Sequence, residues 1–462
     1  MADTERLLHA AQQLGRGEAD VADVELVRDA HPADLAHVLQ HLAPEERHGL
    51  FRSFGRDRAG DVLSEMDDHT LLELIRGLDD VELSRILEQM PAEHAADVVD
   101  ELPTEQAEKI LDLMEEQKSE EVQGILEYPE QSAGRLMSPD FVARPEDATV
   151  EEAIQYIRRS IAQERPFELY VVDDHQHLVG RVPLRRLLIA APRTTLATLL
   201  DDELVSVRPE MDREDVARLV AKYDLVSLPV VDEQNRLLGT ISVDDVIDIM
   251  QEEASEDIFR IAGSDAAELE RRTPYQVALL RLPWVLSTLL IELLAGLIIH
   301  FFDRTLGQVI LLASFMPVIQ AISGNTGLQS VTMVVRGLAT GQVQLSRWWE
   351  PLRRQAQTSS ILGAVCALVV GVVGWLWHSP AFALVVSVSM FISVNLSGTA
   401  GTVIPMLSKR LGFDPALTAG PFETAFQDVL GVTIFLSLAT LLLERGLEGA
   451  RGQRRIEAQS LG

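Results

Sequence analysis

Residues 283–302 read PWVLSTLLIELLAGLIIHFF, and the only charged side chain among these twenty residues is Glu292. A helix needs about 20 mostly apolar residues to cross the hydrocarbon core of a bilayer. Four later stretches have similar composition and adequate length, namely 309–335, 361–377, 382–407 and 422–443. We therefore predict a multidomain membrane protein whose last domain, 273–462, is α-helical with five transmembrane spans.

The two halves of the chain differ strongly in charge. Before Pro283 the chain holds 62 acidic and 29 basic residues, whereas from Pro283 onward it holds 9 and 11. The first part is therefore a polyanion with a net charge of −33. Such a surface attracts cations and repels nucleic acid. We expect the lipid bilayer and divalent cations as partners, and no nucleic acid.

The first 130 residues contain a repeat of apolar residues at a strict spacing of 12. Its members are Leu42, Phe54, Met66, Leu78, Met90, Leu102 and Met114. Proline or acidic residues follow most of them, and both suit the first turn of a helix. Helices of about two turns are not stable alone and stack into a superhelix in repeat proteins. We predict an all-α superhelical domain over 1–130.

From residue 131 the pattern changes to two copies of strand, helix, strand, turn, strand and helix. The first copy contains LYVVD (169–173) and LVGRV (178–182), and the second contains LPVVD (228–232) and LLGTIS (237–242). This resembles a tandem pair of CBS domains, an α/β fold, over 131–249. A connecting segment at 243–272 follows, with a helix predicted over 243–261.

The basic residues of the membrane half lie mainly after the second and fourth predicted spans. They are Arg336, Arg347, Arg353, Arg354, Lys409 and Arg410. Basic loops face the cytoplasm, which puts the N-terminal domains inside and, with five spans, the C-terminus outside. Arg451, Arg454 and Arg455 conflict with that orientation. We expect a multi-pass protein of the bacterial inner membrane.

Several spans carry polar residues at mid-membrane. Asn325, Gln329 and Asn395 lie among small residues, which indicates either close helix packing or the lining of an aqueous path. We favour the aqueous path. Glu292 and Asp428 are carboxylates within the spans, and ionisable groups there are costly and usually functional.

Three segments of the membrane half carry a family resemblance: GNTGLQ (324–329), KRLGFDPA (409–416) and GPFETAFQD (420–428). Together with the domain order, they resemble the MgtE family of magnesium channels. The resemblance implies a homodimer with a pore on its two-fold axis and Mg²⁺ as the transported ion. It assigns Asp428 as the pore aspartate.

The resemblance also implies the remaining pore residues. We expect Asn325 and Thr424 beside Asp428. Glu423 is assigned from its position near the cytoplasmic end of the fifth span, where we expect it at the pore mouth. The chain departs from the family at Glu423, where an apolar residue is usual.

The resemblance further implies that cytoplasmic Mg²⁺ regulates the channel by bridging carboxylates of the acidic domains and the connecting helix. The candidate sensor residues are Glu93, Asp97, Asp212, Glu214, Asp224, Asp245, Asp248, Glu253, Glu256, Asp257 and Asp414. Glu253, Glu256 and Asp257 have the spacing of one helix face. A solvated carboxylate is the competing interpretation of each.

The CBS pair also resembles the type that binds adenosine nucleotides. Gly239, Ser242 and Asp245 fit its Gly-x-x-Ser/Thr-x-x-Asp pattern, whose hydroxyl and carboxylate meet a ribose. ATP or another adenine nucleotide is therefore a candidate ligand of the second copy. A structural turn at a helix start is the competing interpretation.

Two other functions remain open from the sequence. One is a transporter that couples Mg²⁺, Co²⁺ or Mn²⁺ to protons or sodium through Glu292 or Glu423. The other is an adenine-nucleotide sensor with a membrane anchor. An enzyme is not expected, because the sequence lacks a metal-hydrolase spacing, a nucleophile motif and a phosphate-cradling loop.

Overall fold

The computed structural model describes residues 2–160, 167–201, 204–262, 264, 273–416, 423, 425 and 427–441. They belong to two compact units, Met1–Gln251 and Glu252–Gly462. The first unit combines an all-α part with two α/β copies, and the second unit is helical.

The all-α part consists of short helices. They are α1 (Ala2–Arg16), α2 (Val21–Asp29), α3 (Pro32–His41), α4 (Pro44–Phe51), α5 (Arg56–Ser64), α6 (Asp68–Ile75), α7 (Asp80–Leu87), α8 (Ala92–Asp100), α9 (Thr104–Leu113) and α10 (Glu116–Leu126). Their inward faces share one hydrophobic core.

The 12-residue repeat marks the junctions between these helices. Leu42 follows α3, Met66 follows α5 and Met90 follows α7, and all three side chains are buried in the shared core. Asp67 and Asp79 each accept a hydrogen bond from a backbone N–H in the first turn of the next helix, which is the usual work of an N-cap. The prediction of stacked two-turn helices is confirmed.

Two α/β copies follow α11 (Ala133–Leu136). The first contains β1 (Ala143–Pro145), α12 (Val150–Ser160), β2 (Glu168–Val172), β3 (Leu178–Pro183) and α13 (Leu184–Ile189); the second contains α14 (Arg213–Tyr223), β4 (Ser227–Val231), β5 (Leu237–Ser242) and α15 (Val243–Ile261). β1 pairs parallel to β2, and both hairpins, β2–β3 and β4–β5, are antiparallel.

The same turn closes both hairpins, which explains the repeated VVD motif. Asp173 accepts backbone N–H bonds from His175 and His177 at 2.8 Å, and Asp232 does the same for its own turn. Gln176 and Asn235 each adopt a left-handed backbone with φ of 65°. The aspartate organises the reversal by an Asx-type turn.

The connecting helix is α15, and its bounds agree with the predicted 243–261. Residues 263 and 265–272 of the predicted connecting segment lie outside the described residues.

The second unit contains the helices of the membrane half. They are α16 (Pro274–Phe301), α17 (Asp303–Gln308), α18 (Leu312–Ala339), α19 (Trp349–Trp377), α20 (Pro380–Arg410) and α21 (Gln427–Leu441).

Three of the described helices, α16, α19 and α20, are long and apolar enough to cross a bilayer by length and composition. The 28 residues of α18 are also long enough, but serine, glycine, asparagine and glutamine lower its hydropathy. Residues 422, 424 and 426 of the predicted fifth span lie outside the described residues, as do 442 and 443. Its described helical run, α21, is short.

The close approach of α18 and α20 depends on small residues. A Cβ added to Gly401 of α20 would lie 2.5 Å from the carbonyl oxygen of Gly327 in α18, so the two backbones are nearly in contact. This is how small residues act in helix pairs within membranes. It also brings the polar side chains of both helices together.

Candidate functional site

Helix α18 presents a polar stripe on its exposed side. Asn325, Gln329, Thr332 and Arg336 are all exposed in the protomer, and their spacing of four, three and four residues puts them on one helix face. Lipid offers such groups no hydrogen-bond partner. This face therefore suits contact with water or with another polypeptide.

Asn395 does not share that environment. Its Oδ1 accepts a hydrogen bond from Ser360 of α19 at 2.8 Å, and its Nδ2 donates to the carbonyl of Phe391 at 2.8 Å. Its amide links α20 to α19, and its role in an aqueous path stays a prediction. Packing with a small-residue neighbour, Gly363, is the better interpretation.

Asp428 lies near the beginning of α21 and is half-buried. Its carboxyl group is within hydrogen-bonding reach of the carboxyl group of Glu292 from α16. The sequence analysis singled out both residues and left their proximity open. The fold thus brings together two carboxyl groups that are 136 positions apart in the sequence.

Glu423 is placed differently from its prediction. The sequence analysis put it at a solvated cytoplasmic mouth, whereas the structure buries the whole residue, with 0% exposed. Its carboxylate lies against Gly327 of α18, beside Ser397 and Gln427. A carboxylate at the end of a membrane span would be hydrated, whereas the packing of neighbouring helices excludes solvent from Glu423. Thr424, the other predicted pore residue of this segment, lies outside the described residues.

The end of the connecting helix meets the loop after α20 through an arginine. Arg260 forms ion pairs with both Glu256, one turn earlier in α15, and Asp414. Beside it, Ile261 packs on an apolar cluster that includes Val331 of α18. Sequence reasoning paired Asp414 with the acidic face of the helix, and it missed the arginine that lies between them.

The other two predicted sensor residues of this helix, Glu253 and Asp257, are half-buried. They lie on α15 within one turn of Glu256, as the predicted spacing requires. Their assignment as magnesium ligands stays a prediction.

In the first unit, Glu93 of α8 comes close to Asp245 of α15. His94 lies near both, with its Nε2 3.9 Å from Asp245 Oδ1. Glu93 is buried, and its Oε2 has no hydrogen-bond partner in the described part of the chain. Burial raises the pKa of both Glu93 and Asp245 above their ordinary values. The fold therefore disfavours two negative charges here.

Asp97, one turn after Glu93, is already paired. Arg135 lies 3.4 Å from its carboxylate and 3.0 Å from that of Asp100. Arginine therefore supplies positive charge at the second predicted ligand of α8.

The remaining sensor candidates of the second α/β copy have local structural partners or lie in solvent. Asp212 caps α14, where it accepts from the Glu214 N–H at 2.9 Å. Glu214 pairs with Arg218 at 2.7 Å. Asp224 ends the same helix in a left-handed conformation, and Asp248 is exposed on α15. Across the described residues, no group of three or more His, Cys, Asp or Glu side chains is arranged to hold a metal ion.

The predicted nucleotide motif has the geometry of a helix start. The Ser242 hydroxyl donates to Asp245 Oδ2 at 2.6 Å. A Cβ on Gly239 would lie 2.6 Å from the Ser138 carbonyl, so a strand contact requires this glycine. The Ser242 hydroxyl and the Asp245 carboxylate lie side by side, as the ribose-binding pattern requires. They are also hydrogen-bonded to each other.

Three family profiles match the chain. An MgtE intracellular N domain matches residues 30–131, CBS domains match 133–193 and 196–252, and a divalent cation transporter profile, MgtE, matches 316–438. The three matches follow one another in the order that the sequence analysis expected.

Several known proteins are similar to this chain. The magnesium transporter MgtE of Thermus thermophilus is 39% identical over 69% of this chain and 72% of its own length. A solved cytosolic domain of the Mg²⁺ channel MgtE in complex with ATP is 35% identical, with a TM-score of 0.49 over 52% of this chain and 98% of that one. The soluble part of a magnesium transporter is 26% identical, with a TM-score of 0.50 over 54% of this chain and 99% of that one. The chain belongs to the MgtE transporter family.

Proposed function

We propose that this chain is a magnesium channel that carries Mg²⁺ across the bacterial inner membrane. One observation carries the proposal: Asp428 of α21 lies beside a second carboxyl group, that of Glu292, in the apolar half of the chain. Two carboxyl groups in a membrane are costly unless a cation or water compensates them. Membership of the MgtE family supports Mg²⁺ as that cation.

The proposed path runs along the polar stripe of α18, the exposed face that carries Asn325 and Gln329. In a homodimer with its two-fold axis beside this stripe, two copies would enclose an aqueous path and remove the polar groups from lipid. The five-span topology, with cytoplasmic N-terminal domains and the C-terminus outside, belongs to the same proposal.

The chemistry of Mg²⁺ favours such a lining. The ion takes six oxygen ligands and sheds its water slowly. Carboxylates and amides can therefore hold the hydrated ion through its water molecules. Two copies of Asp428 across the axis would contribute two charges, with Asn325 and Thr424 as neutral partners.

Regulation by cytoplasmic Mg²⁺ is the second part of the proposal. In the first unit, the carboxylates of Glu93 and Asp245 repel each other at short range, and a divalent cation would remove that repulsion. In the second unit, Arg260 already reduces the repulsion between Glu256 and Asp414 by pairing with both. Bound Mg²⁺ would then strengthen the contact between Glu256 and Asp414 that Arg260 already stabilises.

Two further assignments, a nucleotide site and an alternative transport mechanism, rest on the chemistry of individual side chains. The Ser242 and Asp245 pair supports an adenine nucleotide such as ATP at the second α/β copy. The carboxylates Glu292 and Glu423 support the alternative of a transporter coupled to protons or sodium. Mg²⁺ current under a magnesium gradient, at equal pH on both sides and without sodium, separates a channel from that alternative, because a channel carries net charge without a coupling ion.

Asp428 provides the direct test of the pore. Asp428→Ala should abolish Mg²⁺ flux into liposomes, because the path loses its central charge. Asp428→Asn should lower the flux at least about tenfold, the effect of losing roughly 1.4 kcal/mol of ion stabilisation. Asp303→Asn, which changes an acidic residue of α17, is the matched control. Wild-type flux through a correctly folded Asp428→Ala variant would contradict the pore assignment.

The sensor proposal predicts competition between Mg²⁺ and protons in the soluble fragment 1–251. Because the folded-state pKa values of Glu93 and Asp245 are raised, protonation stabilises the fold, and this stability is lost as the pH rises through those values. Mg²⁺ should therefore raise Tm by about 2–4 °C at pH 8, the equivalent of about 1 kcal/mol, and by less at pH 5.

Thermal unfolding of Glu93→Gln, beside the exposed control Glu120→Gln, tests this assignment. Only Glu93→Gln should lose the response to Mg²⁺, and sodium at equal ionic strength should not replace it. An equal Mg²⁺ effect at both pH values, or in both variants, would count against the site.

The ion pairs of Arg260 predict a change in the Mg²⁺ concentration that closes the channel. Arg260→Gln should raise the cytoplasmic Mg²⁺ concentration needed to close the channel, because the end of α15 loses its ion pairs to Glu256 and Asp414. Asp414→Asn should give a similar shift, and the double variant should add little, as expected for groups in one interaction. Arg347→Gln, at an exposed arginine of the same unit, is the control for flux titrations. Additive shifts would show that the two residues act separately.

A further inference from the structure

A second group of polar side chains in the membrane half lies between α18, α20 and α21. Glu423 and Gln427 are four residues apart in the last helical segment and so share a face. Glu423 is 0% exposed, Ser397 of α20 is 0% exposed and Gln427 is 4% exposed. The cluster is therefore closed to solvent within a single protomer.

Glycine in α18 lets the oxygens of this cluster gather closely. A Cβ built on Gly327 would lie 2.1 Å from Glu423 Oε1, 2.5 Å from Ser397 Oγ and 2.8 Å from Gln427 Oε1. Three side-chain oxygens thus lie together against the Gly327 backbone, where any larger residue would displace them. The carbonyl oxygen of Ser323 is close by, 2.6 Å from Ser397 Oγ.

The cluster has more acceptors than donors. The hydroxyl of Ser397 has one hydrogen, and it lies within 2.7 Å of both the Ser323 carbonyl and Gln427 Oε1. The nearest donor to the Glu423 carboxylate is this same Ser397 hydroxyl, whose single hydrogen has two other acceptors. In the described part of the chain, both Glu423 oxygens and Gln427 Nε2 are left without a geometrically good hydrogen bond. Rotating the Gln427 amide by half a turn would offer a donor, but an amide brings no positive charge.

The charge of Glu423 also lacks a counter-charge. Among the described residues, the charged side chain that acts on it is Asp428, which has the same sign. A buried carboxylate with no cation beside it is strongly unfavourable. A cation among these oxygens, or a proton on Glu423, would remove that cost.

We propose that this cluster binds one dehydrated Na⁺ ion per protomer, separate from the proposed Mg²⁺ path. Its ligands are the Glu423 carboxylate, Gln427 Oε1, Ser397 Oγ and the carbonyl oxygen of Ser323. One carboxylate balances a monovalent charge, whereas Mg²⁺ would leave a net positive charge buried. Mg²⁺ also demands near-octahedral geometry and retains several water molecules, for which this closed space is unsuited.

The ion would join three helices. It would hold α21 to α18 and α20 one residue before Asp428, because Gln427 is both a ligand and the neighbour of Asp428 in sequence. The site thereby fixes the helix that carries the proposed pore aspartate. The binding itself does not depend on the proposed function, since every ligand comes from one protomer.

Equilibrium dialysis of the purified full-length protein with ²²Na⁺, in detergent and with a chelator of divalent cations, tests the site. Wild type should bind one Na⁺ per protomer with saturation. Glu423→Gln should bind none, and Ser397→Ala should bind at least about tenfold more weakly, the effect expected from losing roughly 1.4 kcal/mol of binding free energy. Asp428→Asn should retain the site. Thr402→Val removes a buried hydroxyl of α20 that donates to the carbonyl of Gly398 in the same helix, and it should also bind Na⁺ normally.

Thermal unfolding gives a second readout that does not depend on folding of the Glu423 variant. Replacing N-methylglucamine by Na⁺ at equal ionic strength should raise the Tm of wild type and of Thr402→Val by about 2–4 °C. The effect should be weaker in Ser397→Ala, and K⁺ should be less effective in wild type. The proposal is overturned if wild type binds no Na⁺ at any pH between about 6 and 9, which would mean that Glu423 holds a proton. It is equally overturned if Glu423→Gln and Ser397→Ala bind Na⁺ as wild type does.

Discussion

The membrane half of this chain is organised by one constraint: a polar group at bilayer depth needs a partner or water. Helix α18 meets it differently on its two sides. On the packed side, the hydroxyls of Ser323 and Ser330 donate to carbonyls one turn earlier, at 2.6 and 2.7 Å, and the small residues let α20 approach. On the other side, Asn325 and Gln329 remain exposed. Helix α18 therefore has one packed side and one exposed side, and the exposed side carries two amide groups.

The same constraint separates the carboxylates of the last helical segment. Asp428 is half-buried next to Glu292, and part of its surface stays open in the protomer. Glu423 is enclosed by α18 and α20, so only a dehydrated ion or a proton could reach it. Two carboxylates only five positions apart therefore have different surroundings, whereas the sequence analysis placed both of them along the pore.

Local patterns predicted much of the fold because they depend on neighbouring residues. The spacing of 12, the VVD turns and the unbroken charged run of α15 each specify structure over one or two turns. The contacts of several site residues depend on partners that are distant in the sequence. Arg260 and Asp414 are 154 positions apart, and Ser360 and Asn395 belong to different helices. Sequence spacing does not show which polar groups will meet, so the partners of Asn395 and the burial of Glu423 required the fold.

The central claim, an aqueous Mg²⁺ path along α18, is tested most directly by accessibility of single cysteines in a Cys366→Ser background. A water-soluble, cationic thiol reagent should modify Asn325→Cys and Gln329→Cys in membranes, Mg²⁺ should slow both reactions, and modification should block flux. Ser323→Cys and Ser330→Cys, on the packed side of the same helix, should not react. Equal reactivity of both sides, or no reaction at 325 and 329 in a folded and active protein, would contradict the account.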